Sequence, residues 1–300
     1  MRLLPWPVLV YLPFSGIPSN TATHDGASHR DGSVSVAAKS DSVPLMFENA
    51  LKKQIFHVQD YARLAFRSVE VIFTTTRYFD DLLHEMDQIG VGSSPIVIAA
   101  LICVGGVIVL NAASQFTRFG ETALTGDALS LSLLRELGPV FTALLVAGRN
   151  ATGMASQLGS MLVTEQVDAI RGLGVDPIRK LVAPRLLATV LVLPLLVAVG
   201  DGAGLIGGFV VASDILHINA EQFWTRAIKA LAVGDLVIGF SKPIVFGFII
   251  ATVGCYQGLR VEGGTAGVGR ATIMAFVASS LMILVADLFL TRFLLYVFNM

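Results

Sequence analysis

From Met46 onward, apolar residues recur at Phe47, Leu51, Ile55, Val58, Ala62, Phe66, Val69 and Phe73. These steps of four and three hold one face of a helix. Lys52, Lys53, Asp60, Arg63, Arg67 and Glu70 project from the opposite face, too much charge to cross a bilayer but suited to its interface. An ordinary soluble helix packed on a domain is the alternative, and no soluble domain follows. An acidic patch, Asp80, Asp81, Glu85 and Asp87, then leads to Gly90, Gly92 and Pro95. Beyond it the pattern changes to five long apolar runs, judged against the roughly 20 residues a hydrocarbon core requires. They cover about Ile96 to Ala113, Leu134 to Leu162, Leu186 to Ala212, Leu236 to Gln257 and Ala271 to Val297. Asp176-Pro177 supplies an N-cap and N1 proline before the third run, just after Gly172 and Gly174, which end the preceding helix. The chain reads as an all-α integral membrane protein: an amphipathic interfacial helix region over 46–88, then a five-span domain over 89–300.

Residues 1–45 fit neither pattern. Leu3 to Phe14 is apolar but broken by Pro5, Pro7 and Pro13, and Ser15 to Pro44 is polar, so neither half packs a core. A signal peptide is opposed by those prolines. A disordered extension, or a start placed upstream of a true one at Met46, is the expectation.

Composition agrees with the pattern. Charged residues are 14% of the chain, against about 25% in soluble domains; 18 of the 43 fall in the first 92 positions. A net charge of −1 leaves no basic surplus for nucleic-acid phosphates. Cys103 and Cys255 lie in apolar runs without CxxC spacing and form neither a disulfide framework nor a metal site.

Orientation follows from the short loops. Arg171, Arg179, Lys180 and Arg185, with Arg260 and Arg270, stand against Arg118, Arg226 and Lys229 on the other side. This places the first set and the amphipathic helix in the cytoplasm and the C-terminus outside. Small residues repeat at Ala147, Ala151, Ala155 and Gly159, and at Gly200, Gly204 and Gly208, a spacing that lets helices approach closely.

Arg135, Glu136, Arg149, Asp201 and Asp287 lie in or at the edges of these runs, where each costs about 2.5–3.5 kcal/mol unless paired or wetted. They are the candidate intramembrane functional groups. Asp201, between Gly200 and Gly202, is expected in a wet helix break; Asp287 is expected either to pair with Arg149 or to relay protons. The segment Thr164 to Leu173 reads as a short mixed-charge helix carrying Glu165, Gln166, Asp168 and Arg171, of the kind that docks into the motor of an ATP-driven transporter. The chain encodes no motor, because none of its six lysines follows a glycine as a P-loop requires. No catalytic triad or metal-ligand spacing is present, so catalysis, cofactor and metal are not expected.

The ordered motifs Leu134-Arg-Glu-Leu-Gly-Pro-Val140, Ala147-Gly-Arg149, Thr164-Glu-Gln-Val-Asp168, Val175-Asp-Pro-Ile-Arg179, Pro184-Arg185 and Ala266-Gly-Val-Gly-Arg-Ala-Thr272, with Asp287 to Thr291, resemble the MlaE (YrbE) family of lipid-transporting ABC permeases. The resemblance covers about Met46 to Val297. It implies a homodimeric inner-membrane permease working with a cytoplasmic P-loop ATPase and a periplasmic MCE-domain protein to move lipid, phospholipid foremost, between inner and outer membranes. It further implies that Glu165, Gln166 and Asp168 meet the ATPase and that Arg135 and Glu136 sit near the lipid cavity. Two other readings compete: a proton-coupled secondary transporter using Asp201, Glu136 and Asp287, which predicts inverted repeats that are not seen, and a noncatalytic membrane scaffold.

Overall fold

The computed structural model describes residues 58–71, 79–120 and 124–297; the expectations for residues 1–45 and for the stripe before Val58 lie outside them. Every described segment is helix or connecting turn, and five helices are long and apolar enough to cross a membrane. Helix α1 covers 58–71. The five long helices are α2 (Phe79–Phe116), α3 (Thr125–Val163), α5 (Ile178–Ile215), α7 (Val233–Gly258) and α8 (Gly264–Val297). Two short helices, α4 (Gln166–Gly172) and α6 (Ala220–Lys229), lie between them at opposite ends of the bundle.

The row of α1 that meets the bundle lies beside the expected stripe, one position earlier in the chain. Tyr61, Ala65, Ser68 and Val71 turn toward the bundle, whereas Val58 and Phe66 are left exposed. Tyr61 Oη shares a hydrogen bond of 2.8 Å with Thr252 Oγ1, and its ring meets Tyr256 edge-on. Polar tethers finish the docking: Arg67 pairs with Asp176 at 2.9 Å and Asp60 with Arg260. The α4 loop, the α7–α8 turn and the start of α2 therefore share one end of the bundle, where Asp81 also pairs with Lys180 and Glu85 with Arg185. This is the end that carries the larger set of basic loop residues.

Within the bundle α7 packs against α3, α5 and α8, while α2 lies along α5. Leu101, Leu133, Val146, Leu193, Phe246 and Ile250 fill the interior. Lipid gives no hydrophobic drive to helix association, so close packing must supply it. The small-residue stripes do this: a Cβ on Gly105 would lie 1.9 Å from the Gly204 carbonyl oxygen, and one on Gly254 would lie 3.0 Å from the Ala151 backbone.

Two expectations are corrected. The first long helix starts well before the expected run from about Ile96: α2 begins at Phe79 and passes through Gly90, Gly92 and Pro95, with Arg149 lying over Gly92. Asp201 does not sit in a helix break. Gly200 is packed against Val97, Leu101 and Thr142, so that glycine serves contact rather than bending, and the helix stays continuous from Ala183 to Val210.

Candidate functional site

The most concentrated polar chemistry inside the bundle begins with a proline. Pro139 has no N–H to give the carbonyl four residues back, that of Arg135, and the helix widens to a π turn over Leu133–Leu137. This turn carries both Arg135 and Glu136. From the facing helix α7, the side chain of Lys242, fully buried, donates to the freed Arg135 carbonyl oxygen at 2.9 Å.

The same ammonium holds three further oxygens. Glu136 Oε2 lies at 2.6 Å and Thr291 Oγ1 of α8 at 2.8 Å. Asp287 Oδ1 lies at 2.9 Å, an ion pair outside hydrogen-bond alignment. Thr291 in turn donates to Glu136 Oε1 at 3.1 Å. Two turns from Lys242 along α7, Asp235 Oδ1 meets Arg135 at 2.5 Å, while Asp235 Oδ2 caps α7 by accepting from Ala232 N at 2.9 Å. Glu136, Lys242 and Asp287 stand nine to eleven residues from the ends of α3, α7 and α8 opposite the basic loops, roughly 14–17 Å along each helix. They share one level of the bundle.

An ammonium so enclosed is tolerated because oxygens surround it. The five charged side chains, Arg135 and Lys242 against Glu136, Asp235 and Asp287, leave one negative charge in excess. Glu136, with 39% of its side chain exposed, is the member most open to the surroundings.

Of the five intramembrane groups singled out in the sequence, the fold brings together Arg135, Glu136 and Asp287. Asp287 meets Lys242 and not Arg149. Asp201 lies behind the same turn, its Oδ1 against Gly138 and without a hydrogen-bond partner among the described residues. Arg149 sits in a second widened turn, Ala147–Ala151, with Ser93 Oγ at 3.4 Å. The residues that sequence reading passed over are Lys242 and Asp235. A lysine in the apolar run Ile238-Gly-Phe-Ser-Lys-Pro243 was open to the same rule that flagged Asp287.

At the basic end, α4 presents Gln166, Asp168 and Arg171 to the outside and is anchored by buried Val167. Asp168 pairs with Arg171 at 2.9 Å. Glu165 begins the helix with a left-handed backbone, φ 59°, and its side chain is exposed. The helix ends at Gly172, with Gly174 just beyond it at φ 75°, and Asp176 Oδ1 accepts from Ile178 N at 3.0 Å to start α5.

Comparison with known proteins adds a second line of observation. The profile of the family described as Permease MlaE matches residues 82–293. A probable ABC transporter permease protein of Rickettsia typhi is 37% identical over 234 residues, covering 78% of this chain and 90% of that one. A probable ABC transporter permease protein of Synechocystis is 40% identical over 209 residues, 70% and 80% of the two chains. The intermembrane phospholipid transport system permease protein MlaE of Haemophilus influenzae is 30% identical over 253 residues, 82% and 96%.

Proposed function

The chain belongs to the MlaE permease family of ABC transporters, and from that premise we propose that it carries phospholipid along a path past Arg135 and Glu136, driven by ATP hydrolysis in a separate subunit. The observation that carries this reading is the Lys242 cluster: charged groups from three helices gathered at membrane depth, with Glu136 and Arg135 partly exposed. A lipid headgroup carrying both signs of charge finds a complement in that pair, and the exposed aliphatic surface of the long helices suits its tails.

The family implies an ATPase partner, and the surface that fits it is α4 with Glu165, Gln166, Asp168 and Arg171. These side chains are exposed and play no part in the bundle core. A second copy of the chain completes the cavity. Only 17% of the apolar stretch of α8 is buried within one chain, leaving Leu288, Phe289 and Phe293 outward, and closed two-fold pairing is the commonest way to cover such a wall. The basic loops support an orientation with α1 and α4 in the cytoplasm, the family supports an inner-membrane setting, and an MCE-domain protein is the periplasmic partner in this reading.

The test is reconstitution of the permease and its ATPase in liposomes with a fluorescent phospholipid. ATP-dependent lipid movement is expected, and it is expected to vanish in Glu165→Lys/Asp168→Lys while membrane insertion persists. Lipid movement driven by a pH gradient without the ATPase contradicts the reading and favours the secondary transporter. A charge-reversed α4 that still copurifies the ATPase and transports at the normal rate removes the docking role.

A further inference from the structure

A cleft near the basic end belongs to none of this machinery. It lies between the early turns of α2 and the second half of α3, lined among others by Glu85, Gln88, Arg149, Asn150 and Gln157. Its volume is about 160 Å³, the room of roughly five waters. The Arg149 guanidinium enters across Gly92, where a Cβ would come 2.2 Å from Nη2. Its hydrogen bond is the long one to Ser93, and it has no carboxylate partner among the described residues.

One donor on the wall of the cleft lacks an acceptor. Asn150 is 92% buried, and its Nδ2 has no partner among the described residues. Buried Arg185 gives Nε to Glu85 Oε1 and Nη2 to Gln157 Oε1, each at 3.1 Å, and leaves Nη1 without one. Glu85 is thereby engaged, so the charge left over is that of Arg149. A ligand in the cleft that satisfies Arg149 and Asn150 is an anion with several acceptor oxygens. Both Arg149 and Asn150 lie in a π turn, a deformation frequent at functional sites.

Depth narrows the ligand. Arg149 stands over the point where α2 leaves its acidic first turns and enters the apolar run that follows Pro95. In a bilayer this is the boundary between headgroups and hydrocarbon. We propose that the cleft binds the phosphate group of a lipid from the leaflet at the basic end, with Arg149 and Asn150 donating to its oxygens and the acyl chains left outside in the bilayer. The inference needs only that the chain spans a membrane, so it stands whether or not the Lys242 cluster meets cargo.

The experiment places a photoreactive residue at Gln88 in the full complex, in nanodiscs of radiolabelled phospholipid. Lipid capture is expected in the otherwise unchanged chain. It is expected to fall about tenfold, some 1.4 kcal/mol, in Arg149→Gln, and to recover in part in Arg149→Lys. Gly92→Ala, which displaces the guanidinium while keeping its charge, is expected to lower capture as well and serves if Arg149→Gln fails to fold. A second probe at 136 is expected to be unaffected by any of these. Undiminished capture in both Arg149→Gln and Gly92→Ala overturns the proposal. Crosslinking of residue 88 to a second copy of the chain in place of lipid also overturns it, assigning Arg149 to an interface. Loss of capture on adding millimolar inorganic phosphate overturns the lipid assignment in favour of the free ion.

Discussion

The two ends of the bundle use the same ion-pair chemistry under opposite conditions. At the basic end, Arg67–Asp176, Arg260–Asp60 and Lys180–Asp81 are partly or largely exposed and tie α1, α2 and the loops together, with Arg185–Glu85 the one largely buried pair among them. Opposite, Lys242 is sealed among Glu136, Asp287 and Thr291. Exposed pairs contribute about 0–1 kcal/mol each. Breaking a buried one costs several times more, because the partner is left charged and dry. The first set suits contacts that are made and remade; the second fixes three helices in one register.

Substitutions sharpen this contrast. Lys242→Met strands two carboxylates beside one another, and a loss on the order of 3–5 kcal/mol is expected, read as a fall in the unfolding midpoint of the permease in detergent or nanodiscs. Adding Glu136→Gln and Asp287→Asn is expected to restore most of that stability without restoring lipid transport. If the triple variant stays as unstable as the single one, charge compensation is not what holds the cluster.

A smaller effect is expected where packing alone decides. Gly105→Ala places a methyl group against the Gly204 carbonyl and is expected to destabilise by about 1–3 kcal/mol as α2 and α5 part, measured in the same unfolding assay. The smallest belongs to the exposed pairs. Arg260→Ala and Arg67→Ala are each expected to cost no more than about 1 kcal/mol, and that loss should shrink as salt is raised. A cost at Arg260 matching that at Lys242 erases the distinction between the two ends, although loss of its stacking on Tyr256, 5.0 Å from the ring centre, contributes to whatever is seen.

Periodicity and hydropathy carried the helical class and the five spans, since twenty-residue apolar runs have few other readings. The small-residue stripes were legible for the same reason, and so was the start of α5 at Asp176-Pro177. What escaped depended on packing between distant segments. That Asp287 meets Lys242 and not Arg149 is set by how α8 lies against α7. The turn that presents Glu136 follows from Pro139, whose missing N–H frees a carbonyl that only the folded chain supplies with a donor. The Gly200–Gly202 stretch read as a break because a glycine in sequence does not distinguish a bend from a close neighbour; here Gly200 receives Val97.

In the proposed path Glu136, held by Lys242, faces the lipid being moved. A photoreactive residue at 136 in the assembled transporter, illuminated with and without ATP, tests it most directly. Phospholipid is expected to be captured there with a yield that changes with ATP, while positions on the outer surface such as Leu195 and Val237, both exposed, capture lipid without regard to nucleotide. Capture at those two positions with none at 136 contradicts it and removes the Lys242 cluster from the transport path.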